Sequence, residues 1–147
     1  MEHDTTHAME RLQEAFRSTM RALGPQLSEP VFGLTGTQFY ILHQLDQKGK
    51  CTVGELADSM GVKPSAITAM IDRLDKHEFV VRDRDDNDRR VVYIRLTKSG
   101  AETLKQVKKH RLCILQHYLS HLTAEELESM IRVFEKLAKV APPAKQP

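Results

Sequence analysis

The sequence contains no tryptophan and two cysteines, and aromatic residues make up 5% of its 147 residues. With only Cys51 and Cys113, a disulfide framework is not expected, and the cysteine content is typical of a reducing compartment. No apolar run has the length of a membrane span, and the N-terminus lacks the basic and apolar segments of a signal peptide. We therefore expect a cytoplasmic protein with no membrane partner.

Motifs of the common enzyme classes are also missing. The sequence has no phosphate-binding loop, no nucleophile elbow and no metal-hydrolase motif. No enzyme activity and no cofactor are therefore expected. The remaining composition, 40% hydrophobic and 29% charged with a net charge of +2, permits nucleic-acid binding without requiring it.

Two short helices joined by a tight turn are predicted between residues 52 and 74. The first helix has apolar residues at helical spacing, namely Val53, Leu56, Ala57 and Met60. Thr52 and Glu55 have the spacing of a capping box, and Gly61 follows the last apolar residue as a C-cap. Pro64 suits the first position of the second helix. That helix repeats the apolar spacing with Ile67, Met70, Ile71 and Leu74.

The outer face of the second helix favours contact with DNA. Its residues are small, hydroxylic or charged: Ser65, Thr68, Ala69, Asp72 and Arg73. Small side chains let a helix backbone approach base edges in the major groove. The arrangement is typical of a helix-turn-helix, although two amphipathic helices with a turn also occur in many all-helical proteins.

Four further helices are predicted from apolar periodicity and capping signals. They cover about residues 6 to 23, ended by Gly24 and Pro25, then residues 35 to 47, 97 to 121 and 123 to 140. Residues 142 to 147 are expected to be a disordered tail.

Between residues 79 and 96 the apolar period changes from helical to alternating. Polar residues 85 to 88 separate two β-branched runs, which predicts a hairpin with an exposed tip. A hairpin directly after a recognition helix is a wing. The expected fold is therefore mainly α with a small β-hairpin wing.

The predicted domain organisation has a winged helix-turn-helix DNA-binding domain at residues 35 to 96. Residues 1 to 34 and 97 to 141 form a helical dimerisation region, because each terminal helix has an apolar stripe that a monomer would leave exposed. A two-fold dimer would set two recognition helices about 34 Å apart, one turn of DNA. A monomeric helical bundle is the alternative.

Charges of both signs alternate in the segment that carries the DNA-binding prediction. Residues 62 to 98 contain nine cations and seven anions, so the wing acids would repel phosphates unless they pair with arginines. We expect Asp88 to orient Arg90 so that Arg90 projects from the tip. The alternatives are a solvated, self-paired hairpin and, for Arg73, a surface ion pair with Asp72, Asp75 or Glu55.

The order of these segments resembles the MarR family of bacterial transcription regulators. The most specific pieces are SAITAMIDRL, DNDRRVVYIRLT and the preceding LTGTQF. The resemblance implies a homodimer that binds a pseudo-palindromic DNA operator, usually as a repressor, and that responds to a small aromatic effector. Two departures are Glu78, where the family commonly has Gly, and Lys63, a weak N-cap. At Glu78 the turn into the wing is expected to differ.

The resemblance and the helix positions together define the expected DNA surface. Its residues are Lys63, Pro64, Ser65, Ala66, Thr68 and Ala69 for the major groove, Thr52 and Arg73 for phosphates, and Arg84, Asp88, Arg89 and Arg90 for the wing. A winged helix that contacts only proteins is the competing function.

Sensing residues are less well defined by the sequence. An organic effector would be lined by Phe16, Phe39, Tyr40, His43 and Tyr118, although plain core is the favoured interpretation of each. A metal-sensing repressor is an alternative, because His110, Cys113, His117 and His121 fall on one helical face, although no metal site is assigned. Cys51 and Cys113 are each expected to be small buried hydrophobes.

Overall fold

The structure is a computed structural model that describes residues 2 to 141, and the side chains of residues 4 to 141. It contains α1 (Glu2–Ser28), α2 (Gly36–Lys48), α3 (Val53–Met60), α4 (Pro64–Lys76), β1 (Val80–Arg84), β2 (Val92–Leu96), α5 (Lys98–Leu119) and α6 (Ala124–Leu137). The fold is mainly α with one antiparallel hairpin, which confirms the predicted class. The chain divides after Arg111 into two compact units. The expected disordered tail lies outside the described residues.

The first helix is longer than the sequence predicted. It was expected to end at Gly24 and Pro25, but α1 continues to Ser28. A helix can pass through this pair because Gly24 has no Cβ to clash with the Pro25 ring. The final turn is held by the Pro25 carbonyl, which accepts from the Glu29 N–H at 2.9 Å, and by the Leu27 carbonyl, which accepts from Arg111 Nη2 at 2.7 Å.

The other helix starts follow the capping signals. Three helices begin with a reciprocal Thr–x–x–Glu/Gln capping box, and their N-caps are Thr35, Thr52 and Thr123. Gly61 ends α3 in the left-handed conformation, with φ of 63°. Lys63 caps α4 without a side-chain hydrogen bond, as expected. These local signals fix the positions of both helices of the helix-turn-helix.

The core lies within the first unit. Its fully buried side chains come from α2, α3, α4, the hairpin and the start of α5, and the largest are Ile41, Leu42, Leu45, Leu56, Ile67, Ile71, Leu74, Ile94 and Leu104. Cys51 is also buried, as expected, and burial raises the pKa of its thiol above the ordinary value. Its N–H and carbonyl both pair with Ile94 of β2, at 3.1 and 2.7 Å. This bridge fastens the start of the helix-turn-helix to the wing.

The turn from α4 into β1 corrects one expectation. Glu78 was expected to change the turn, yet it adopts the left-handed conformation, with φ of 60°, that glycine would favour. Its N–H donates to the Asp75 carbonyl at 2.9 Å, and its carbonyl accepts from Thr97 Oγ1 at 2.6 Å. Hydrogen bonds on both sides of the residue thus offset the strain.

The terminal helices are exposed along most of their length. Every side chain of α1 between residues 4 and 22 is exposed, and α6, all of which is described, contains no buried residue. Exposed apolar side chains on α1 include Met9, Leu12, Phe16 and Met20, and those on α6 include Ile131, Val133, Phe134 and Leu137. Two predicted ends were too late, since α5 stops at Leu119 and α6 at Leu137.

Candidate nucleic-acid interface

The outer face of α4 is open and built from small side chains. Lys63, Pro64, Ser65, Thr68 and Ala69 are exposed, and Ala66 is half-buried above the core residue Ile67. The Thr68 hydroxyl donates to the Pro64 carbonyl at 3.1 Å, and the side chain remains exposed. The predicted major-groove residues therefore lie together on one surface.

Arg73 is exposed on the same helix. It forms no ion pair with any residue between 4 and 141, so the surface pairs considered for it are not formed. Asp72 and Asp75 instead bind Arg82 of β1, and Glu55 accepts from the Thr52 N–H at 2.8 Å. The Arg73 guanidinium therefore remains open to an external anion. Thr52 is half-buried, because its hydroxyl caps α3.

The wing pairs β1 with β2 in antiparallel register, with Val80 opposite Leu96 and Arg84 opposite Val92. The loop between them is internally hydrogen-bonded. Asp85 Oδ1 accepts from the N–H groups of Asn87 and Asp88, at 2.8 and 3.0 Å. These two backbone bonds hold the pKa of the Asp85 carboxyl below its ordinary value. The tip is consequently a defined turn.

Arg90 projects from this tip, as the sequence predicted. Its side chain is 92% exposed, while its Nε and its backbone N–H both donate to Asp88 Oδ1 at 3.1 Å. Nη2 reaches Asp88 Oδ2 at 3.3 Å. The Arg90 side chain is the main reason that the pKa of Asp88 lies below its ordinary value. Asp88 thus orients Arg90 without removing it from solvent.

Three further charged side chains of the wing are paired or hydrogen-bonded within the hairpin. Asp83 pairs with Arg95 across the strands, and Arg84 Nη1 donates to the Arg89 carbonyl at 2.9 Å. Arg84, predicted to contact DNA, therefore also braces the loop, whereas the Arg89 side chain is exposed. Sequence reasoning missed the pairing of Arg82. The signal was available, because Asp72 and Asp75 are three residues apart on one helical face.

Only part of the predicted effector set comes together. The rings of Phe39 and His43 are parallel with centroids 6.1 Å apart, and the Arg111 guanidinium lies 4.2 Å from the Phe39 centroid. His43 Nδ1 is buried and has no hydrogen-bond partner among the described residues.

The other three predicted effector residues have different local surroundings. Tyr40 lines a shallow groove of about 410 Å³ with Gly36, Thr37, Ser59 and Met60. Phe16 is exposed on α1, and Tyr118 belongs to the second unit.

The histidine and cysteine stripe of α5 does not form a metal site within the described residues. No three His, Cys, Asp or Glu side chains between residues 4 and 141 are grouped so that they could hold an ion. His121 lies beyond the end of α5 at Leu119, and its ring meets the His117 ring edge-on with centroids 6.0 Å apart. Cys113 was expected to be buried, but it is exposed, since no described part of the chain covers that side of the helix.

No helix in residues 2 to 141 combines the length and the apolar character that crossing a bilayer requires. The MarR family model matches residues 34–92. The HTH-type transcriptional repressor MdtR of Bacillus subtilis (strain 168) is 34% identical over 135 residues, which cover 90% of this chain and 87% of that protein.

Solved structures agree with this similarity. The YusO protein from Bacillus subtilis has a TM-score of 0.76 at 33% identity, over 92% of this chain and 98% of that chain. A MepR like protein complexed with pseudoligands is 42% identical, with a TM-score of 0.58, over 89% of this chain and 92% of that chain. The resemblance seen in the sequence is confirmed: the chain belongs to the MarR family of transcriptional regulators, which are not enzymes.

Proposed function

We propose that this regulator is a homodimeric repressor that binds a pseudo-palindromic DNA operator. In each half-site, α4 enters the major groove and Arg90 enters the adjacent minor groove. The observation that carries the proposal is the wing tip, where Asp88 holds a guanidinium that is 92% exposed. A narrow minor groove attracts arginine strongly. The open Arg73 and the small outer face of α4 support the same DNA-binding surface.

The exposed terminal helices support dimerisation through α1, α5 and α6. Apolar side chains such as Phe16 of α1 and Phe134 of α6 are more than half exposed, and a second copy would bury them. Two-fold symmetry would then set the two α4 helices about one DNA turn apart, roughly 34 Å. Repression is supported by the similarity to a relative that is named a transcriptional repressor.

The test is selection of DNA by the purified full chain from a random duplex pool, followed by binding titrations in increasing salt. We expect an enriched pseudo-palindrome and a log K that falls by about 0.9 per phosphate contact for each unit of log salt. The absence of any enriched sequence, combined with weak and unselective binding at low salt, would overturn the proposal. A winged helix that contacts only proteins would give that result.

A matched pair of variants separates the wing from bulk charge. Arg90→Ala should weaken operator binding about tenfold, since it removes an oriented minor-groove contact. Lys105→Ala removes the same charge from an exposed position on α5. It should change operator affinity by less than about twofold, because an exposed charge distant from DNA is screened. Equal losses from both variants would argue against a role for the wing.

We further propose that a small aromatic effector weakens operator binding. The support is the crystallised relative in complex with pseudoligands and the partly buried group formed by Phe39, His43 and Arg111. Addition of salicylate, an aromatic acid, to the preformed operator complex should lower affinity for the wild-type chain. It should have less effect on the His43→Ala variant. An unchanged affinity across related aromatic acids would remove this part of the proposal.

A further inference from the structure

One ion-pair cluster connects the recognition helix to the wing. Arg82 of β1 donates from Nη1 to Asp75 Oδ2 at 2.9 Å and from Nη2 to Asp72 Oδ1 at 2.5 Å. We call this cluster of three side chains the Arg82 bridge. Both carboxylates belong to α4, so one guanidinium ties two points of that helix to one point of the hairpin.

Strand alternation gives Arg82 this position. Val80, Arg82 and Arg84 lie on the same face of β1, because side chains two residues apart point the same way. Val80 is buried in the core, and Arg84 donates to the Arg89 carbonyl in the loop at 2.9 Å. One row of three side chains therefore anchors the strand, binds α4 and braces the wing tip.

The Arg82 bridge contributes little to the free energy of folding, but it restrains the orientation of α4 relative to β1. The three side chains are between 34% and 56% exposed, and ion pairs in solvent contribute little free energy. The guanidinium is planar, with donors in a fixed fork. Two carboxylates bound to that fork restrain both the rotation and the tilt of α4 relative to the strand. Without the bridge, α4 and β1 remain joined by the short turn through Glu78 and by the core that contains Leu74 and Val80, so the bridge adds a polar restraint at the surface.

We propose that Arg82 is a positioning residue for DNA recognition, which sets the angle between α4 and the wing so that groove contacts by both form together. The proposal rests on the DNA-binding function proposed above. Arg82 acts through Arg90 and the α4 face, and its own charge is neutralised by Asp72 and Asp75. Its effect should therefore fall on selectivity rather than on general attraction to phosphates.

The sharpest test separates geometry from charge. The triple variant Asp72→Asn/Asp75→Asn/Arg82→Met removes the bridge and makes this surface more positive by one charge. Charge alone would tighten binding to every DNA. We expect instead about fivefold weaker binding to the selected operator, with unchanged or tighter binding to a scrambled duplex. Asp86→Asn is the control, because it adds the same charge at an exposed loop position and keeps the bridge.

A second variant distinguishes a positioning effect from a loss of folding. Arg82→Lys keeps the charge, but a single ammonium cannot present the same fork, so the ratio of operator to scrambled affinity should also fall. Thermal unfolding monitored by circular dichroism checks that each variant is folded. Partial unfolding would lower both affinities together and leave their ratio unchanged, which would count against a positioning role.

The final measurement tests whether the effects of the Arg82 bridge and of Arg90 on operator affinity are coupled. Arg90→Ala should cost less operator affinity in the triple variant than in the wild-type chain, because the wing is no longer held in register with α4. A triple variant that binds the operator as tightly as wild type, with an unchanged ratio, would overturn the positioning role alone. Failure of the wild-type chain to select any DNA would instead overturn the proposed function.

Discussion

The winged helix-turn-helix and the terminal helices use apolar residues in opposite ways. Among residues 4 to 141, the buried apolar side chains lie between Leu34 and Val107, where α2, α3, α4, the hairpin and the start of α5 cover one another. On α1 and α6, side chains of the same types are exposed. Similar amphipathic sequences are therefore buried in one region and exposed in the other, because only the first region packs its apolar side chains against other elements of the described chain.

This difference identifies the surfaces of the chain that are available for contact with other molecules. The exposed apolar stripes offer a surface for the proposed dimer, and the exposed Arg73 and Arg90 offer cations for the proposed contact with DNA. Groups satisfied within the chain, such as Arg82 with its two aspartates, maintain the geometry of the open groups. Changes to buried core groups should alter stability, changes to open groups should alter association, and changes to the Arg82 bridge should alter selectivity between DNA sequences.

The largest expected effect is on the free energy of unfolding, when one isoleucine in each region is replaced by alanine. Ile71→Ala, at a fully buried position on α4, should lower the free energy of unfolding by about 3 kcal/mol. Ile131→Ala, on exposed α6, should lower it by less than about 1 kcal/mol in dilute protein. Urea unfolding at several protein concentrations measures both. Equal losses would contradict the contrast between the regions.

Two glycines should respond to alanine with opposite signs. A Cβ at Gly100 would lie 2.0 Å from the Phe79 carbonyl oxygen, so Gly100→Ala forces α5 away from the turn into the wing. We expect a loss of about 2 kcal/mol in the free energy of unfolding.

Gly54, an exposed position in α3, supplies the control for that change. Apart from its chain neighbours, a Cβ there meets only Thr52 Oγ1, at 3.9 Å, so Gly54→Ala should stabilise α3 by a few tenths up to about 1 kcal/mol. Thermal unfolding of both variants tests the pair. A stabilising Gly100→Ala would show that the close approach to Phe79 is not maintained.

Association should depend on the apolar stripe of α1. Phe16→Glu places a charge within the stripe and should weaken the proposed dimer at least about tenfold, because a buried carboxylate without a partner is costly. Ser18→Glu adds the same charge to an exposed polar position on the same helix and should have little effect. Sedimentation equilibrium measures the dissociation constants. A dimer insensitive to Phe16→Glu would place the interface elsewhere.

The smallest effect concerns the protonation of the wing tip. The pKa values of Asp85 and Asp88 are both below the ordinary value, so their contribution to loop stability is present above about pH 4 and is lost as pH falls through the lowered pKa values. Arg90→Ala should raise the pKa of Asp88 and leave that of Asp85 nearly unchanged, since backbone N–H groups hold Asp85. Carboxyl chemical shifts followed by NMR would report both. Equal shifts would contradict separate causes.

Local interactions made much of this structure predictable from sequence. The capping boxes, the left-handed Gly61 and the Asp88–Arg90 pair each join residues no more than four apart. Their geometry follows from short-range sterics and hydrogen bonding, so spacing alone indicates them. The same holds for the alternation that predicted the hairpin.

Contacts between separate elements were not predictable in this way. The Arg82 bridge joins β1 to α4 across seven and ten residues, and it depends on how the strand lies against the helix. The last turn of α1 is held by a hydrogen bond from Arg111, and the left-handed Glu78 accepts one from Thr97. Exposure of Cys113 depends on which face of α5 other elements cover. The roles of the DNA-surface and effector residues stay predictions.

The most direct measurement is the number of chains bound to one selected duplex, by sedimentation velocity, with both half-sites intact and with one scrambled. We predict that two chains bind the intact duplex. Scrambling one half-site should lower the affinity of the complex by at least about tenfold, because only one of the two recognition helices then contacts its specific bases. A single bound chain, or an affinity unchanged by the scrambled half-site, would contradict a two-fold dimer that reads an operator through α4 and Arg90.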